Sequence, residues 1–252
     1  LSKNEVKEKD EQENIYPYRM ERGYRVNQAK GLIALGLFKD YDDIRNSPKQ
    51  TFGNYMPGDI KYKDVNGDGI IDDQDQVAVG ATTVPNLVYG IGVSAQWKGL
   101  DVNVHFQGAG KSSFFIDGEG VRPFASGNRG NFYQEVIDGR WISKEESGTI
   151  ATENPHAKYP RLSYGYNDNN NRNSSYWLRN GSYLRLKTLE VGYTLPKKIV
   201  NRIHFNNIRI YMIGTNLITW SKFKMWDPEM NSSNGATYPL AKSVTVGLNV
   251  NL

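Results

Sequence analysis

The chain has 252 residues, with 31 Lys and Arg against 27 Asp and Glu, a net charge of +4 and a pI near 9.0. That mild charge forms no basic block, so nucleic acid is not implied as a partner, and the absence of cysteine excludes disulfides, thiolate zinc sites and cysteine nucleophiles. Mean hydropathy is −0.62, and the longest apolar run, Gly31 to Phe38, falls short of the ~18 residues of a membrane-spanning helix; spanning strands, whose signal is only alternation, stay open.

Residues 1–14 are charged and aperiodic and read as a solvated lead-in, helical or disordered. The chain starts at Leu1 with no signal peptide, which reads as a fragment or a processed product. Apolar and aromatic residues between 15 and 39 predict one or two strands. Asp40 to Pro48 predicts a short helical turn stopped before the proline.

Clear periodicity begins after Asn86. Leu87, Tyr89, Ile91, Val93, Ala95 and Trp97 alternate with small or polar residues, a period of two. Lys98–Gly99 is a tight turn. Leu100, Val102, Val104 and Phe106 then alternate with Asp101, Asn103, His105 and Gln107. A second hairpin is predicted from strands at about 182–195 and 208–218, with a bulge near Thr188 where the apolar phase slips. A last strand spans 243–252, with Val244, Val246, Leu248, Val250 and Leu252 on one face. No long amphipathic helix is evident.

Such strands fit a soluble sandwich, in which the apolar face packs a core. They also fit a membrane barrel, in which that face meets lipid. Connection lengths favour the barrel. Lys98–Gly99 and 196–207 are short, whereas 108–181 and 219–242 are long, so the two kinds alternate along the chain. Strands of about ten residues suit a tilted crossing of a bilayer. Aromatic residues at strand ends (Tyr89, Trp97, Tyr183, Tyr193, Trp220) suit interfacial girdles.

Residues 64–75 match an EF-hand-type calcium loop ending in Asp instead of Glu. The expected ligands are Asp64, Asn66, Asp68, the Ile70 carbonyl, Asp72 and Asp75, with Gly69 at the sharp turn. The competing reading is an Asx-rich turn without metal. Structural Ca2+ is the one cofactor expected. The polar, aromatic stretch 159–183 offers Tyr164, Tyr166, Tyr176 and Trp177 as candidate ligand contacts, against the plainer reading of a mobile polar loop. Gly90-Ile-Gly92-Val-Ser-Ala95 resembles a dinucleotide fingerprint, but a strand follows where a helix is required. Catalysis finds little support. His105, His156 and His204 are scattered, and Glu145–Glu146 reads as a solvated pair. The N-x-S triplet at Asn231, one of three, is a weak pattern.

The stretches PGDIKYKDVNGDGIID (57–72) and PNLVYGIGVSAQWKGLDVNVHFQG (85–108) resemble the C-terminal region of the SusC/RagA family of TonB-linked outer-membrane transporters of Bacteroidetes. RNGSYLRLKTLEVGYTLP (179–196), IRIYMIGTNLITWSKFKMWDPEM (208–230) and YPLAKSVTVGLNVNL (238–252) extend the likeness to most of residues 15–252. Leu252 departs from the family's usual terminal Phe. The resemblance implies an all-β fold, the C-terminal portion of a 22-stranded antiparallel transmembrane β-barrel with long extracellular loops. It implies import of oligosaccharides or peptides, a SusD-like lipoprotein partner, and energy from the TonB complex through a plug that matches nothing in this chain. It does not imply an enzyme. The rivals from other classes are a soluble secreted calcium- and glycan-binding β-sandwich and a surface enzyme accessory module.

Overall fold

The computed structural model describes residues 3–11, 13–127, 131–144, 156–230 and 232–251. Leu252, Glu145–Glu146 and Asn231 lie outside the described residues.

Short elements come first: β1 (Lys30–Gly31), β2 (Ala34–Leu37), helix α1 (Tyr41–Arg45), β3 (Lys49–Gln50), β4 (Ile60–Tyr62), β5 (Ile70–Ile71) and β6 (Val77–Ala78). The long strands β7 (Leu87–Trp97) and β8 (Leu100–Gly110) follow, then β9 (Ser113–Phe115), α2 (Gln134–Gly139) and β10 (Leu178–Asn180). The chain continues through β11 (Tyr183–Thr194), α3 (Lys197–Val200), β12 (Asn207–Ser221) and β13 (Ser243–Asn251). The predicted turn at Asp40 is α1, capped by the Asp40 carboxylate, which accepts from the Asp43 amide at 2.7 Å. The lead-in is neither helical nor detached. The Val6 amide donates to the Tyr24 carbonyl at 2.8 Å, and Glu11 accepts from the amides of Glu21 and Arg22.

The five long strands form one antiparallel sheet in the order β13-β12-β11-β8-β7. Lys98 and Gly99 both take positive φ, 48° and 89°. That is a type I′ turn, whose twist matches the flanking strands. A side chain at Gly99 would meet the Thr194 carbonyl oxygen at 2.7 Å. The expected bulge is present. Register shifts between Leu186 and Thr188 against both neighbouring strands, and Asn216 beside it on β12 has φ 53°.

Register separates the two faces. Tyr89, Ile91, Val93, Ala95 and Trp97 stand opposite Gly108, Phe106, Val104, Val102 and Leu100. Those pair in turn with Leu184, Leu186, Leu189, Val191 and Tyr193. Ile210, Met212, Gly214, Ile218 and Trp220 of β12 carry the same face on to Val244, Val246 and Leu248 of β13. No charged or amide side chain stands among these positions. In a sandwich this face would be covered by a second sheet. Among the described residues the other sheets are all two-stranded, and Val93, Val246 and Leu248 remain 62–71% exposed. The sandwich reading is therefore corrected: the apolar face is not a protein core. An uncovered apolar surface of this extent marks a hydrophobic environment, not water.

The protein's core lies elsewhere, where the segment before β7 packs with the long connections. Leu32, Ile60, Tyr62, Ile71, Ile116, Val121, Val136 and Trp177 are each no more than 1% exposed, and Phe52, Phe114, Tyr159 and Phe223 complete the cluster. β9 pairs with β10 beneath it. Phe223 meets Phe114 and Trp226 edge-on, with centroids 5.1 and 4.7 Å apart. The long connections thus build a folded cap at one end of the sheet. The short connections sit at the other end, where the Thr194 amide donates to Gly99 O at 2.7 Å and the Asn206 amide to Asn251 O at 2.8 Å.

Candidate wall and cap sites

The polar face of the sheet holds a charged cluster that bridges its strands. Arg209 on β12 donates from Nε to Asp101 Oδ1 at 3.1 Å and from Nη2 to Asp101 Oδ2 and to Glu190 Oε1, the last at 2.6 Å. Asp101 belongs to β8 and Glu190 to β11, so one guanidinium spans three strands. Gly192 on β11 makes room, because a Cβ there would run into that guanidinium. The Arg209 guanidinium also lies 4.9 Å from the Tyr211 ring centroid. His105 stands on this face too, with its ring close to Gly90 and Gly92. The glycines of the dinucleotide-like pattern are thus ordinary strand residues of β7.

At the junction of sheet and cap, Arg185 is 1% exposed. Its Nη2 donates to both carboxylate oxygens of Asp227, at 2.6 and 2.7 Å, and lies 3.3 Å from Glu229 Oε2. A buried guanidinium requires such partners. The pair ties the start of β11 to the 222–242 connection.

The stretch 159–183 is an ordered part of the cap, which corrects the mobile-loop reading. Asn169 and Asn170 are buried. Asn169 Nδ2 donates to Ile60 O at 2.9 Å, and Asn170 Nδ2 donates to Asp59 Oδ1 at 2.7 Å. Asp59, fully buried, also pairs with Arg161. Of the four aromatic candidates, Trp177 is in the core, its Nε1 donating to Asn170 O at 2.6 Å. Tyr176 packs beside it, and burial raises the pKa of its hydroxyl. Tyr164 and Tyr166 are exposed. The structure thus splits the four into an interior pair and a surface pair.

The 64–75 loop is held by its own backbone. Asp64 accepts from the amides of Gly67 and Gly69 at 2.7 and 2.9 Å, and Asp68 accepts from Ile70 at 2.8 Å. Asn66 accepts from the Asp68 amide at 3.1 Å. Asp72 caps the turn Asp73–Asp75. Asp75, fully buried, accepts from the amides of Val65 and Asp72 at 2.7 and 2.9 Å. Ile71 is inside the core, while Ile70 is exposed. Among the described residues no three Asp, Glu or His side chains are grouped to hold a metal ion, and as placed the loop's hydrogen bonds are those of an Asx-rich turn. Structural Ca2+ on Asp64, Asn66, Asp68, the Ile70 carbonyl, Asp72 and Asp75 stays an expectation from the sequence.

Arg122, in the cap, was not singled out by any pattern in the sequence. Its side chain is 10% exposed, and its guanidinium stacks 4.9 Å from the Trp177 ring centroid. Only Asp117 is a near neighbour in sequence; Asn171 and Trp177 come from about 50 residues further along the chain, so no local pattern marks it.

Comparisons with known proteins follow this geometry. No protein-family model matches the chain. It is 31% identical over 242 residues to TonB-dependent receptor P26 of Formosa agariphila, covering 90% of this chain and 23% of that receptor. It is 26% identical over 241 residues to TonB-dependent receptor P3 of the same organism, covering 86% and 22%. A solved structure described as the RagAB peptide transporter superposes with TM-score 0.63 at 20% identity, covering 92% of this chain and 23% of that one. The RagAB peptide importer in its open-open state gives 0.61 at 19% identity. Sheet and cap together thus match part of a larger β-barrel fold, among receptors and transporters and not enzymes. The chain belongs to the TonB-dependent receptors, and it spans about a quarter of the length of the curated relatives it matches.

Proposed function

We propose that the chain supplies wall strands and the outer cap of an outer-membrane transporter that imports oligosaccharides or peptides. The observation that carries this reading is the sheet's division. One face is apolar across all five strands, with Val93, Leu100, Tyr193, Met212 and Val246 exposed on it and Leu186 buried, and the other bears the Arg209 cluster. Trp97 and Tyr193 end the apolar band on one side, and Tyr89 and Trp220 end it on the other. Trp97 and Tyr89 are eight residues apart, about 26 Å of strand at ~3.3 Å each. At a strand tilt of about 40° this projects to roughly 20 Å along the membrane normal, which fits within the ~25 Å apolar band of outer-membrane barrels. In this reading the five strands are the C-terminal portion of a 22-stranded barrel. Further strands would pair with the open edges of β7 and β13, since lipid does not tolerate unpaired strand edges.

The whole transporter would work with a SusD-like surface lipoprotein over the cap. It would draw energy from the TonB complex through a plug contributed by residues outside this chain. The relatives' names support the TonB link, and the RagAB structures support peptides as one substrate class. Exposed Tyr164 and Tyr166 are the surface groups that could stack on sugar rings or peptide side chains. The cap would face outward and the short connections the periplasm.

The test is labelling of intact cells with a membrane-impermeant maleimide, using single-cysteine variants of the full-length protein. Tyr164→Cys should label and Lys98→Cys should not. Labelling of Lys98→Cys without Tyr164→Cys overturns the orientation.

A further inference from the structure

We infer that a cavity beside Arg122 is a binding site for a carboxylate group. Arg122, Arg161, Val136, Ser163, Asn167 and Trp177 line a cavity of about 30 Å³ in the cap. At ~10–15 Å³ per water-sized occupant, that holds about two such atoms, the number of oxygens in a carboxylate. Its two arginines are not equivalent. Arg161 already has a carboxylate: its Nη2 donates to Asp59 Oδ2 at 3.1 Å, and its Nε, though it makes no hydrogen bond, lies 2.9 Å from the other oxygen of that buried group. Arg122 uses only Nη1, which donates to Asn171 O at 3.2 Å and lies 3.0 Å from Asp117 Oδ1. Its Nε and Nη2 are buried and have no hydrogen-bond partner among the described residues.

These two atoms form one edge of the guanidinium, the edge that meets a carboxylate with two parallel hydrogen bonds. Leaving buried charged donors empty is costly. Burial already lowers the pKa of Arg122, and the chief countering charge, Asp117, is 57% exposed and so weakly effective. Asp59 is committed to Arg161. An incoming carboxylate would pair with Arg122 as Asp59 pairs with Arg161. The Trp177 face holds the guanidinium plane in place meanwhile.

The group could come from the C-terminus of a peptide or from an acidic sugar. The inference rests on the cavity alone, and binding measured in detergent is independent of whether the transport reading holds. The experiment is equilibrium dialysis of radiolabelled formate against the detergent-solubilised full-length protein at fixed ionic strength. One saturable site is expected. Arg122→Lys keeps the charge without the two-donor edge and should weaken binding at least tenfold, while Lys198→Ala, exposed at the other end of the sheet, should not change it. Competition by glycylglycine would assign the peptide source, and competition by glucuronate the sugar source. Bromide-soaked crystals of the unmodified protein should show an anomalous peak at Arg122, a readout that does not depend on any variant folding. No saturable formate binding with only waters at Arg122, unchanged binding in Arg122→Lys, or competition by neither larger acid would overturn the assignment.

Discussion

Arg209 on β12 reaches over Gly192 of β11 to Asp101 on β8, joining two strands that are not neighbours in the sheet. The glycine is what allows it, since any side chain there would occupy the guanidinium's path. Arg209→Ala would leave Asp101 and Glu190 facing each other without their shared cation. The cluster lies on an open face, so solvent screens it, but the loss of all three contacts should still lower stability measurably in reversible urea unfolding from lipid vesicles. Gly192→Val should cost a similar amount, and the double variant should cost less than the sum of the two.

The apolar face gives the opposite sensitivity. Val246→Arg or Leu248→Arg should cost roughly 2–4 kcal/mol if the position lies near the bilayer midplane. Asn249→Arg, on the other face of β13, should cost far less. The same vesicle unfolding assay reads both.

In the cap, Trp177→Ala empties the centre of the core and should cost about 3–5 kcal/mol of cap stability. Tyr164→Ala and Tyr166→Ala remove exposed rings and should stay within about 0.5 kcal/mol. Limited proteolysis of residues 111–182 would show the difference: early cleavage in Trp177→Ala and none in the tyrosine variants.

The α1 corner of the cap should weaken in acid. The hydrogen bond from Lys61 Nζ, at 2.7 Å, holds the Asp43 carboxyl below its ordinary value, helped by the Lys39 amide. A folded-state pKa below the unfolded value, roughly 3.9, gives stability that is fully present above that value. It is lost as pH falls through the lower folded value. Protection of the amides of residues 36–62 against hydrogen exchange, taken relative to the intrinsic rate at each pH, should therefore fall below about pH 4. Asp43→Asn should flatten that pH dependence.

The 64–75 loop should keep its order without metal. Its carboxylates are already matched with backbone N–H groups, and Ile71 anchors it in the core. Chelation should leave hydrogen exchange in this segment unchanged, whereas Asp75→Ala should accelerate it.

The strands were legible because alternation is a local signal. Tyr89, Ile91 and Val93 declare their face within five residues, and the phase slip at Thr188 revealed its own bulge. The cap was not legible, because its core joins Leu32, Ile60, Phe114, Trp177 and Phe223 from segments without a shared period. For the same reason, the polar run at 167–172 looked mobile. Its asparagines are committed to backbone and carboxylate partners more than a hundred residues away. The loop motif gave residue identities at ligand spacing but not the direction of each carboxylate. Arg209 and Arg122 needed register and packing, which spacing alone does not supply.

The account turns on which face of the sheet meets lipid, and one measurement addresses that directly. Spin labels placed singly at positions 244–249 of the full-length protein in lipid vesicles report accessibility to oxygen, which enriches in lipid, and to a water-soluble nickel complex. Labels at Val244, Val246 and Leu248 should favour oxygen, and labels at Thr245 and Asn249 should favour nickel, with a period of two. Absence of that alternation, or its reversal, would contradict the barrel-wall assignment.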